Sequence, residues 1–273
     1  MPDGRSVWLY GDTLTGTDST HLTGFVHSTA IVQDKGCLHV SRRGAQVLPD
    51  DGPRTISWIS AAVALDAGHL LVATGQQRLT GTCPFCFTPV GTRAAILSVD
   101  HAGDVRFSRW LARWPAPASV IWGAGMTRRG DTLVLYGISR SGLTRSLYAG
   151  TARLADVVAG RPGAFHLGAA AIADGVDPAG VSAWQDGTGL HVLSRQRSEL
   201  IRFDATSASG PYRPTVIGSV PADRAGQLQY YAAAHPEAAL ADGGLLVTLC
   251  RNWADGAVHP VPSYRPRYLT AAK

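Results

Sequence analysis

The chain has 273 residues, 45% hydrophobic and 16% charged, a balance that supports a sizeable core and excludes a disordered chain. The formal net charge is +5, but the basic residues are nearly all arginine, scattered, and adjacent only at Arg42–Arg43 and Arg128–Arg129. A nucleic-acid-binding face is therefore not expected, and no apolar run reaches the roughly 18 residues that would cross a bilayer.

The chain opens on "MPDGR", a charged start with no apolar signal segment behind it. Such a start is expected of a cytoplasmic protein, or of an exported one whose leader lies outside this chain. Next comes "VWLYGDT" (7–13), a strand-like run that ends on Gly11 and the carboxylate of Asp12. A polar loop, "TGTDSTHLTG" (15–24), carries Asp18, and His27 precedes the hairpin pattern "STAIVQDKGCLHV" (28–40). The strand "SWISAAVAL" (57–65) leads through "DAGH" into "LVATG" (71–75), followed by a second hairpin, "RAAILSVDHAGDVRFSRW" (93–110). The same order returns as "VIWGAGMT" (120–127) and "LVLYG" (133–137). It recurs as "GVSAW" (180–184), "HVLSR" (191–195), "SELIRFD" (198–204) and "YRPTVIGSV" (212–220). A last strand pair is expected over "AHPEAAL" (234–240) and "VTLCR" (247–251).

Short Val/Leu/Ile/Tyr runs punctuated by Gly, Asp and Pro are an all-β signature. The Asp-Gly and Gly-Gly pairs between the runs supply the positive φ that tight hairpins need. The motif ending in Gly11, Gly75, Gly137, Arg195 and Arg251 recurs about every 60 residues. Each unit then reads as about four antiparallel strands, and such units set around an axis form a β-propeller. The expectation is one five-bladed propeller over 1–273, with blades near 1–50, 51–117, 118–170, 171–222 and 223–273. The first unit lacks its opening strand and the last its closing one, so these blades are incomplete or the chain ends pair to complete a blade.

"VWLYGDT" with "FVHSTAIVQDKGCLHV", and the closing "HPEAALADGGLLVTLCRN" with "YRPRY", resemble bacterial five-bladed propellers of the glycoside-hydrolase type. They are most similar to secreted actinobacterial propellers with a W-l-y-G-D-T first blade, some of whose relatives are endo-arabinanases. The resemblance implies a carbohydrate-facing central pocket, a polysaccharide or oligosaccharide partner, a secreted or cell-surface location and a monomer.

Glycoside cleavage needs two carboxyl groups flanking the bond, roughly 5–5.5 Å apart for retention and 6.5–9.5 Å for inversion. The chain has only two glutamates, Glu199 and Glu237, and most aspartates fall in hairpin turns, where they are expected anyway. Asp12 and Glu237 stand apart as the candidate catalytic pair, with Asp18 a third carboxylate. The competing readings are that Asp12 caps the loop after it and that Glu237 is a buried acid paired with Arg251 or Arg265. Such a pairing would lower its pKa and make it a poor acid but a fair base. Trp58 and Trp122 offer flat faces to sugar rings, against ordinary packing. His27, His235, Arg251 and Asn252 are candidates for binding hydroxyl groups. The alternative function is a propeller that binds carbohydrate or protein without catalysis.

"CPFC" (83–86) sits between strands, followed by Pro89, and lacks the helix a redox motif needs. It is read as a local disulfide or free thiols. With Cys37 and Cys250 distant, zinc is not expected. No cofactor is expected, and nothing requires the axial Ca²⁺ that some propellers hold.

Overall fold

The computed structural model describes residues 1–16, 21–81, 86–116, 119–140, 145–222, 225–238, 240–253 and 266–273. The chain is all-β, as its punctuated apolar runs predict. It divides into two compact units, one from Met1–Thr82 and Cys86–Ala116, the other chiefly from Pro117–Lys273.

In the first unit, β1 (Ser6–Tyr10) is followed by β2 (Thr13–Gly16), β3 (Leu22–Val26), β4 (Thr29–Asp34) and β5 (Cys37–Val40). They make an antiparallel sheet of order β1-β4-β5 and a separate two-stranded ribbon, β2-β3. Strands β6 (Thr55–Ala64), β7 (His69–Leu79), β8 (Phe87–Val99) and β9 (Val105–Trp110) form a second sheet as a simple meander. Alternate residues from the two sheets share one core: Ala30 and Val32 with Leu70, Val72, Ala95 and Leu97. Period-2 patterning thus places one face of each sheet against the other.

In the second unit, β10 (Val120–Arg129), β11 (Thr132–Ser139) and β12 (Arg145–Arg153) form a third meander. A short helix, α1 (Leu154–Val158), follows. Both β13 (Phe165–Leu167) and β14 (Ala173–Val176) then pair with β12. This carries the third sheet past residue 170, where the sequence pattern had set a boundary. The fourth sheet is β15 (Ser182–Gln185), β16 (Leu190–Gln196), β17 (Glu199–Ala205) and β18 (Arg213–Ser219). The fifth is β19 (Gln227–His235), β20 (Leu245–Trp253) and β21 (Arg267–Ala271). Among the described residues the first and last sheets each have three strands.

The fourth sheet shows why its strand β16 is buried without a break from Leu190 to Ser194. Val192 faces the core shared with β11 and β12, while its neighbour Leu193 faces the core shared with β20. A sheet buried on both faces loses polar alternation.

Three opening strands carry a β-bulge: β6 between Ile59 and Ala61, β10 between Trp122 and Gly125, and β19 between Tyr230 and Ala232. The bulged Tyr231 has φ +51°, and bulges of this kind re-aim the side chains beside them. An aromatic residue stands directly before two of these bulges, Trp122 opposite Gly137 and Tyr230 opposite Cys250, and Trp58, opposite Gly75, stands one residue further from the third. Gly137 is required there, since a Cβ would lie 2.5 Å from Val120 Cγ1 and 2.9 Å from Trp122 Cε3.

Candidate functional site

Three residues singled out in the sequence meet in the first unit. Asp12 follows β1, and its Oδ1 accepts a hydrogen bond from the indole Nε1–H of Trp58 at 2.7 Å. The same oxygen faces Nδ1 of His27 at 3.0 Å. Among the described residues Oδ2 takes no hydrogen bond, and neither does Nε2 of His27. The Asp12 and His27 side chains are 25% and 20% exposed, so both open atoms belong to groups that solvent reaches.

The local fold explains the meeting. Trp58 stands two positions before the bulged Ser60 of β6, and its ring packs edge-on against Phe87 at 4.8 Å. His27 joins β3 to β4, and its backbone N–H donates to Gln46 Oε1 at 3.3 Å. The turn after Gly11 is closed by Thr13, whose Oγ1 donates to the Gly11 carbonyl at 2.9 Å and lies 2.9 Å from Thr29 Oγ1. Asp12 is therefore not spent on capping Thr13 or Leu14; its carboxylate is held by side chains from β6 and the end of β3.

The hydrogen bond that His27 donates to Asp12 raises the His27 pKa; partial burial opposes this, and the charges of Asp12 and Asp50 add to the rise. The arrangement is an oriented carboxylate with one open oxygen, beside an imidazole with one open nitrogen, among the rings of Trp58, Phe87 and Phe25. It can bind hydroxyl groups, and it can accept or relay a proton.

The remaining candidates lie in the second unit. Trp122 is only 5% exposed and packs against Gly137 and Tyr148. Its face is buried, so the sugar-stacking expectation is corrected for this residue. Glu237 is also corrected in position: β19 ends at His235, and Glu237 lies in the turn before β20. Pro236 has no amide proton for a ladder and stops the strand there. Among the described residues the partner of Glu237 is His235: its Nδ1 lies 3.4 Å from Glu237 Oε1, while its Nε2 contacts Thr248 Oγ1 at 2.9 Å. Burial opposes ionisation of Glu237, yet the bond from His235 holds its pKa below the ordinary value. Arg251 and Asn252 stand at the C-terminal end of β20, opposite Gln229 and Leu228. Asn252 Oδ1 accepts the Trp253 amide at 2.8 Å. Asp18 and Arg265 lie outside the described residues.

No protein-family model matches the chain, and no curated protein matches it. Among solved structures, the K499G mutant of NanB sialidase from Streptococcus pneumoniae is similar, with TM-score 0.46, 12% identity and coverage of 91% of this chain and 37% of that one. A structure titled NanB plus Optactamide gives TM-score 0.46, 13% identity and coverage of 91% and 36%. The chain thus spans little more than a third of the length of each.

Two polar clusters in the second unit were not foreseen. His191, buried beneath Trp184 with ring centroids 5.1 Å apart, contacts Asp204 Oδ1 at 2.6 Å and Asp186 Oδ1 at 3.0 Å. Asp177, 3% exposed, accepts the amides of Ala179 and Tyr231 at 2.8 and 3.2 Å and meets Arg195 Nε at 3.3 Å. The first had a partial signal, since Asp186 and His191 flank one hairpin. His191 facing Asp204 depends on ladder register, which spacing alone does not give. Among the described residues no group of three His, Cys, Asp or Glu side chains is placed to hold a metal ion, and no helix is long and apolar enough to cross a membrane. Cys86 is disulfide-bonded, Cys37 and Cys250 are free thiols, and Cys83 lies outside the described residues.

Proposed function

We propose that the chain is a glycosidase-like β-propeller, its five sheets being the blades, that acts on a polysaccharide at a site centred on Asp12. The observation that supports this best is the convergence of Asp12, His27 and Trp58, which provides a fixed carboxylate, a proton-carrying group and an aromatic wall together. With two donors aimed at Oδ1, Asp12 fits the base or nucleophile side of glycoside cleavage, acting through Oδ2. Glu237 is the proposed second carboxylate, and arabinan the first substrate to try.

A second reading, carbohydrate binding without cleavage, is favoured by Glu237. The bond from His235 lowers the pKa of that carboxyl, whereas a group that protonates a leaving oxygen needs its pKa raised.

Release of reducing ends from arabinan, xylan and levan tests both readings, with wild type, Asp12→Asn and Glu237→Gln compared and polysaccharide retardation in native gels run in parallel. Catalysis predicts at least a hundredfold loss in Asp12→Asn. Retardation with no reducing ends from any substrate selects the binding reading. Activity unchanged in Asp12→Asn removes Asp12 from the mechanism.

A further inference from the structure

Strands β1 and β4 pair directly, Trp8 opposite Ile31, so the first sheet closes without the β2-β3 ribbon inserted between them. No ribbon residue belongs to the core that the first two sheets share. The ribbon nevertheless presents two large apolar side chains to solvent, Phe25 at 50% and Leu22 at 42% exposure. Ordering these strands with so little burial is unfavourable for the fold alone. The Phe25 ring stands perpendicular to the His27 ring, centroids 5.3 Å apart, and His27 is bonded to Asp12. The exposed aromatic surface is thus continuous with the candidate site. Neither described strand, "TLTG" nor "LTGFV", carries an Asp, Glu, Lys or Arg.

We propose that Phe25 is a stacking platform for a neutral sugar ring of a glycan chain bound at the Asp12 site, adding a subsite beside that centre. The proposal rests on the carbohydrate reading of the site. An aromatic face accepts the apolar C–H face of a pyranose or furanose ring, and the absence of charge on both strands suits a neutral sugar better than an acidic one. The platform contributes to grip and chain-length preference, not to the bond-breaking step.

The test measures dissociation constants of neutral arabino-, xylo- and fructo-oligosaccharides of two to six units by calorimetry, for wild type, Phe25→Ala, Phe25→Leu and Phe25→Trp. Wild type is expected to bind longer chains more tightly. Phe25→Ala and Phe25→Leu should lose about tenfold on the longer chains and little on the shortest, whereas Phe25→Trp should keep the gain. Leucine keeps the apolar character without the flat face, so a folding defect in the alanine variant does not decide the matter. If no oligosaccharide binds wild type, the carbohydrate reading itself fails. If wild type binds and the leucine variant shows the same length dependence, the platform alone is overturned. It is equally overturned if Phe25→Leu abolishes self-association in sedimentation while leaving glycan affinity unchanged.

Discussion

Replacing Asp12 with alanine tests the site before any substrate is known. The substitution removes the acceptor 2.7 Å from the Trp58 indole N–H and leaves that partly buried donor without its partner, at about 1–1.5 kcal/mol. It also removes the His27 contact at 3.0 Å. Both of those side chains are partly exposed, so this adds only about 0.5–1 kcal/mol. The total of about 2 kcal/mol corresponds to a melting temperature lower by about 4–8 °C. The loss should depend on pH in one direction. Asp12 raises the His27 pKa above its ordinary value. That part of the stability is therefore complete below the unfolded-state value and disappears as pH rises through the folded-state value. Calorimetric melts at pH 5.5 and pH 9 should show a larger deficit at the lower pH. A cycle with Trp58→Phe, which removes the same hydrogen bond from the other side, should return a coupling of about 1 kcal/mol. A coupling near zero, or a deficit that grows with pH, would refute the arrangement of the three side chains.

Other measurements bear on the framework. Gly137→Ala should destabilise the protein by about 1–3 kcal/mol in a urea titration, because the new methyl collides with Val120 and Trp122 across the ladder. His191→Ala, which removes a buried ring and two carboxylate contacts, should cost about 3 kcal/mol in the same assay. Burial disfavours ionisation of Asp186, but bonds from Thr188 and His191 outweigh it and hold its pKa well below the ordinary value. The stability it contributes is present above the unfolded-state value and lost as pH falls through the folded-state one, so an acid melt of Asp186→Asn should be flatter than wild type. Cys37 is exposed, whereas burial pushes the Cys250 thiol up to about 11. Ellman's reagent should therefore modify Cys37 promptly at pH 8 and reach Cys250 only in denaturant.

The rhythm of the sheets was legible because each strand pair announces itself locally, with an apolar run, an Asp-Gly or Gly-Gly turn and another apolar run. The position of Asp12 was legible for the same reason, since it ends the first such run. The placement of Glu237 was not, although Pro236 gave the warning: the strand runs from Gln227 to His235, so Glu237, just after the proline, falls in a turn and not on the strand. Trp58 and Trp122 occupy one position in two repeats, yet Trp122 is buried against Gly137 while Trp58 donates to Asp12. No repeat alignment separates them, because the difference lies in what packs opposite. The β2-β3 ribbon was read as loop, since two short strands rich in Thr and Gly leave no run long enough to detect.

The sheets described above draw their strands from contiguous stretches of chain, and the longest interruption is the ribbon between β1 and β4. This has a bearing on biosynthesis. A nascent chain that has emerged only as far as residue 116 already carries every partner needed for the ladders of the first two sheets. Assembly can therefore proceed from the amino terminus in step with translation, so that newly exposed edges wait only for the next few dozen residues and not for the far end of the polypeptide.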